Sequence, residues 1–161
     1  MDTPSFQSLI PDNHCFGCGS LNPDGLQIQS YWSGPDESVC RYTPLPHQAA
    51  GPKGFLNGGI IATLIDCHTI CTAVANAYRL EGREIGSPPN IWCVTASLKV
   101  SYLQPTPIDA PVELRATLRE VGEKKTILDC TLSSGQEIRA EGEVVAIRVP
   151  QSWRDGGHSG R

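Results

Sequence analysis

From Ile60 to about Leu80 the chain carries almost no polar stripe; Ile61, Leu64, Ile65, Ile70, Val74 and Tyr78, with the alanines and cysteines between them, reach every side of a helix. A helix that is apolar nearly all round has to be buried on nearly all sides, so the rest of the chain must enclose it. Asp66, His68 and several Thr and Asn residues interrupt the run, which argues against a membrane span. Arg79 to Asn90 is polar and turn-rich, placing the end of the helix near Gly82.

The enclosure is predicted to be made of strands. Asn22-Pro23-Asp24-Gly25 signals a turn, and Leu26 to Tyr31 then alternates apolar and polar as a half-buried strand does. Ser33 to Asp36 breaks that strand, Val39 to Tyr42 predicts a second, and the proline- and glycine-rich Pro44 to Gly54 predicts a loop. After the helix, Val94, Ala96, Leu98, Val100 and Tyr102 alternate with Thr95, Ser97, Lys99 and Ser101. Val112 to Leu118, Thr126 to Leu132 and Ile138 to Val149 repeat the pattern, with turns at Gly122 and at Ser133 to Gln136. Short turns between consecutive strands imply an antiparallel meander, and the simplest way to bury the helix is to wrap that sheet around it. The fold class is therefore α+β, in the hot-dog arrangement. Edge strands of such a sheet want a partner, so a homodimer or homotetramer, a dimer of dimers, is expected. Residues 14–149 form the expected domain, 1–13 an N-terminal segment, and 150–161 a flexible tail.

Composition narrows the partners. A net charge of −4 with scattered basic residues offers no footprint for nucleic acid or for an anionic membrane. The first 13 residues lack the basic and apolar regions of a signal peptide, so a soluble cytoplasmic protein is expected. The 7 cysteines are odd in number and mostly sit in apolar segments, which reads as reduced thiols. Cys15 and Cys18 make a Cys-x-x-Cys pair that is able to start a zinc or redox site, yet no second closely spaced pair is evident to complete one. The expectation is a turn with packed thiols, no metal, and no part for the cysteines in chemistry.

Few side chains remain to carry a reaction. Asn57-Gly58-Gly59 stands at the first turn of the buried helix, where backbone N–H groups lack partners and the dipole is positive; Gly58 and Gly59 are suited to hold an oxyanion, or simply to make a turn capped by Asn57. Asp66 lies on a helix with little polar surface, where a carboxylate is costly unless paired or used; it is a general base, a nucleophile, or a structural aspartate. His68 is two residues on, roughly 200° round the helix, and so faces elsewhere in the same chain. No Gly-x-Ser-x-Gly elbow, Walker loop or dinucleotide fingerprint is present, and no cofactor is expected.

Several separated motifs share an order with a known family. Cys15-Phe-Gly-Cys-Gly, Asn22-Pro-x-Gly-Leu26, Pro46-His-Gln, Gly54-Phe-Leu-Asn-Gly-Gly-Ile60, Leu64-Ile-Asp66 and Val94-Thr-Ala-Ser-Leu-Lys-Val-Ser-Tyr-Leu-x-Pro105 resemble the PaaI-type acyl-CoA thioesterases of the hot-dog superfamily, over roughly His14 to Val149. The resemblance implies an acyl-CoA substrate, an oxyanion donor at the Gly58 N–H, and Asp66 as base or nucleophile, the two drawn from different subunits. It also implies a water-orienting hydroxyl at Thr95, which is otherwise an ordinary strand former. Gly59, His47, Gln48 and His68 are the expected substrate contacts, with His68 read otherwise as a packing histidine. The chain departs from the family pattern at Asn57, where a histidine usually precedes the two glycines, and at Arg79 to Asn90, which looks like an insertion. A hot-dog protein that binds acyl-CoA without turnover, or a hot-dog dehydratase using His47 or His68, is the competing reading.

Overall fold

The computed structural model describes residues 2–156. In chain order the elements are α1 (Phe6–Leu9), β1 (Ser30–Trp32), β2 (Glu37–Tyr42), α2 (Gly58–Leu80), β3 (Trp92–Tyr102), β4 (Val112–Val121), β5 (Lys125–Ser134), β6 (Glu137–Val149) and α3 (Gln151–Gly156), with a 3₁₀ turn at Pro46–Gln48. The strands form one antiparallel sheet in the order β1-β2-β4-β5-β6-β3. Its meander β4-β5-β6 turns at Gly122 and Gly135, as the sequence predicts.

The 23-residue α2 packs against β1, β3, β4, β5 and β6. Leu64 and Ile65 are wholly inaccessible, as are Leu114, Leu128, Leu132 and Val144 on the facing strands. Contact is closest at Gly142 of β6, where an added Cβ would stand 2.5 Å from Ile65 Cγ2, so only glycine lets the helix lie this near the sheet. α2 is long and apolar enough to cross a bilayer by length and hydropathy alone, but 61% of its apolar window is buried within the protein.

Three expectations change. The strand expected from Leu26 shrinks to Ser30–Trp32, because Gln27 takes a left-handed φ of 50° and residues 26–28 run along the Cys15 loop instead, through Leu26 N–H to Phe16 O at 2.8 Å and Ile28 N–H to Gly17 O at 3.2 Å. The N-terminal segment is not outside the domain: Phe6 and Ile10 join the core, and the buried Gln7 donates to Ser30 Oγ at 2.8 Å. The tail expected from residue 150 begins with helix α3, whose Arg154 guanidinium lies 4.8 Å from the Trp92 ring, while 157–161 fall outside the described residues.

The strict alternation expected on β3 also fails. Pairing with β6 shifts between Thr95 and Ser97, so Ala96 is an extra residue and the faces exchange there. Beyond the bulge Val100 packs on the core and Tyr102 faces the head of α2, as expected, although Leu98 and Tyr102 stay largely exposed on this edge strand.

Candidate active site

The head of α2 is built as its sequence predicts. Asn57 Oδ1 accepts from Gly59 N–H at 2.7 Å and Ile60 N–H at 3.1 Å, an N-cap. The Gly58 N–H finds no acceptor among the described residues and stays available at the positive end of the helix. Tyr102 closes on this turn from β3, its hydroxyl donating to Gly58 O at 2.7 Å and its ring 3.4 Å from where a Gly58 Cβ would lie. A cleft of about 590 Å³ opens beside Asn57, lined by His47, Gln48, Ile60 and the Pro23 to Leu26 turn.

Asp66 is two turns further down. Its Oδ1 accepts a hydrogen bond from Thr95 Oγ1 at 2.5 Å, so the structure joins two of the sequence-selected residues across the interface between α2 and β3. Burial pushes the Asp66 carboxyl above its ordinary value, the Thr95 hydrogen bond partly offsets this, and charge at Cys18 adds to the rise. Asp66 and Thr95 face a separate cavity of about 260 Å³ whose walls include Ile70, Val74, Trp92 and Val94. One oxygen of the carboxylate is held by Thr95; the other is left to bind water or attack a substrate.

Asp66 and Gly58 are not brought together within one chain. Eight residues of helix separate them, about 12 Å at 1.5 Å per residue. A base or nucleophile and an oxyanion donor serving one carbonyl must both lie within hydrogen-bond reach of that small group.

The other expected substrate contacts divide. His47 and Gln48 line the cleft at the helix head, but the Gln48 amide is committed: its Oε1 accepts from Leu45 N–H at 2.9 Å, and it bonds Tyr42 Oη, which shapes the loop. His68 is not a substrate contact in this chain. It is completely buried on the opposite side of α2 from Asp66, its Nδ1 2.8 Å from Ser30 Oγ and its Nε2 3.2 Å from Ser38 Oγ. Burial pushes its pKa down to about 4, so it is a neutral packing histidine that ties β1 and β2 to the helix.

These features have relatives. A family model described as the thioesterase superfamily matches residues 53–145, from the loop before α2 into β6. The chain belongs to the thioesterase superfamily. A thioesterase superfamily protein from Shewanella loihica PV-4 is 33% identical, with a TM-score of 0.64 over 86% of this chain and 96% of that one. The E. coli PaaI protein from the phenylacetic acid degradation operon shares the fold at 15% identity, with a TM-score of 0.63 over 78% of this chain and 81% of its own. Among curated proteins, acyl-coenzyme A thioesterase THEM4 of Xenopus laevis is 28% identical over 133 residues, covering 81% of this chain and 54% of that protein. The mouse THEM4 is matched over 37% of its length, so the chain spans between about a third and just over half of these curated relatives.

Within this thioesterase-superfamily fold, sequence reasoning missed three features. Tyr102 lies on the expected inner face of its strand, but its hydrogen bond to the Gly58 turn has no signal in the sequence. Trp92 lines the Asp66 cavity, and its buried Nε1–H has no partner among the described residues. The sulfurs of Cys15, Cys18 and Cys67 lie within 4.8 Å of one another, and Cys71 lines the same cavity. Hydrogen bonds from Cys15, Cys67 and Cys71 hold the Cys18 thiol well below its ordinary range, and the same contacts push Cys67 and Cys71 up. The signal for the last was present: Cys67 and Cys71 are four apart on a helix and so share a face.

Proposed function

We propose that this chain hydrolyses acyl-CoA thioesters as a homo-oligomer, with Asp66 as general base, Thr95 holding its carboxylate, and the Gly58 N–H of a second copy as oxyanion donor. The observation that carries this reading is the Asp66 to Thr95 pair, at 2.5 Å, facing a cavity with apolar walls suited to an acyl group. The names of the curated relatives, acyl-coenzyme A thioesterases, support the substrate class. In the proposed reaction the free oxygen of Asp66 takes a proton from water as the water attacks the thioester carbon. The carbonyl oxygen becomes an oxyanion facing the Gly58 N–H, where the helix dipole and an unpaired donor favour negative charge. Collapse then expels coenzyme A thiolate, which leaves as the thiol after protonation, and releases the free acid.

The separation of about 12 Å along α2 supports the oligomer, since the donor at one helix head has to serve the carboxylate of another chain. The exposed edge of β3, with Leu98, Tyr102 and Leu103 accessible, supports the same reading. The cleft beside Asn57 and His47 is then placed to receive the coenzyme A side of the thioester. A dehydratase needs a histidine opposite the acid, and within one chain His68 is sealed among serines while His47 lines the other cleft.

Thiol release from a panel of short, long and aryl acyl-CoAs tests the proposal. Turnover with at least one is expected, and a folded protein that binds these substrates but releases no thiol is the result that would establish the binding-only reading instead.

A further inference from the structure

We propose that Cys15, Cys18 and Cys67 form a thiolate site for one thiophilic divalent cation, zinc, held between the N-terminal loop and α2, with Cys71 one turn further along the helix as the fourth ligand it draws in. The site shares a cavity wall with Asp66 but uses none of the acyl-transfer residues and does not depend on the proposed hydrolysis. It reverses the expectation of a metal-free turn, because the second pair of cysteines, which looked absent along the chain, is supplied by consecutive turns of the buried helix.

The spacing of the sulfurs selects the occupant. Cys15 Sγ and Cys67 Sγ are 3.7 Å apart, and both lie within 4.8 Å of Cys18 Sγ. Four thiolates placed about 2.3 Å from a tetrahedral zinc stand roughly 3.8 Å from one another, by the geometry of the tetrahedron. A disulfide would instead single out one pair at about 2.05 Å, whereas here three sulfurs crowd around one point. An iron–sulfur cluster inserts bridged irons between its thiolates and spreads them farther, so the compact group suits a single ion.

The loop is organised for this geometry before any ion arrives. Gly19 N–H donates to Cys15 O at 2.8 Å, closing the Cys-x-x-Cys turn. Asn13 Oδ1 accepts from Cys15 N–H at 3.1 Å, while its Nδ2 points at Cys18 O, 3.4 Å away, and at Cys18 Sγ, 3.6 Å away. An amide donor to a ligand sulfur is the kind of outer contact that orients metal ligands. Gly17 lets the turn press on the helix, since a Cβ there would fall 2.3 Å from Cys67 Sγ. Cys18, Cys67 and Cys71 are buried and Cys15 is exposed, which provides both a shielded site and a route in from solvent. On binding, zinc–sulfur bonds form as the thiols release their protons to solvent. The bound ion would fasten the loop to α2 beside Asp66 and complete one wall of its cavity.

The test uses the full chain, reduced, stripped by chelation and then titrated with zinc alone against a chromophoric chelator. One zinc per chain is expected, lost in Cys15→Ser and in Cys67→Ser and kept in Cys40→Ala, whose thiol is buried elsewhere in the core. Cobalt loading of the unmodified protein needs no variant to fold; it should give the strong visible bands of a tetrahedral ion with thiolate-to-cobalt charge transfer. Failure of the reduced wild-type chain to bind zinc stoichiometrically would overturn the site. So would an octahedral, sulfur-poor cobalt spectrum, or mass spectrometry finding that Cys15 and Cys67 form a disulfide in place of taking up metal.

Discussion

Replacing Asp66 by asparagine isolates the proposed base with little change of shape. The side chain is half-buried and, among the described residues, its one side-chain hydrogen bond comes from Thr95, at 2.5 Å, which the asparagine carbonyl can still accept. What disappears is the free oxygen that takes the proton from water. Losing a positioned general base typically costs about 10²- to 10⁴-fold, so kcat should fall by that factor, equivalent to roughly 3 to 5 kcal/mol at 1.36 kcal/mol per tenfold. KM should change far less, because the cleft at Asn57 and the apolar walls at Ile70, Val74 and Trp92 are untouched. The melting temperature should hold or rise, since burial already disfavours the charge being removed. The assay is steady-state thiol release by Asp66→Asn, by Thr95→Val and by the double variant. Thr95 acts through the carboxylate, so Thr95→Val should lower kcat in the wild-type background and do little once Asp66 is gone. A folded Asp66→Asn oligomer with wild-type kcat would refute the mechanism, and multiplicative losses in the double variant would refute the role given to Thr95.

Other consequences are measurable on the same protein. His68 titrates near 4 when folded against 6.5 ordinarily, so below pH 6.5 the unfolded chain binds the extra proton and stability should drain away as pH falls toward 4; denaturant midpoints across that range should fall, and His68→Gln should flatten that part of the slope. Gly142→Ala puts a methyl 2.5 Å from Ile65 Cγ2 and should destabilise the fold, by about 1 to 3 kcal/mol for overpacking a close contact, read from urea unfolding. Light scattering should find no active monomer at micromolar concentration, and a stable monomer with full turnover would remove the shared site.

The legible parts of this chain are those that local periodicity encodes. The all-round apolar run from Ile60 announced a buried helix, Asn57-Gly58-Gly59 announced its capped head, and the alternating segments with turns at Gly122 and Gly135 announced the meander. Asp66 stood out because an ionisable group on such a helix is expensive wherever it points. Its partner did not: Thr95 is 29 residues away, and its place opposite Asp66 depends on how β3 docks on the helix beside the Ala96 bulge. The same holds for α1, where Gln7 enters the core by pairing with Ser30 across 23 residues, and for the cysteines, where Cys15 meets Cys67 across 52. A residue's secondary structure follows largely from its neighbours in sequence, so the amino-acid order by itself determined the elements, the capped helix and its buried acid. Which side chains meet across those elements depends on strand order, a one-residue bulge and the close approach allowed at Gly17 and Gly142, and that was decided only when the chain packed into three dimensions.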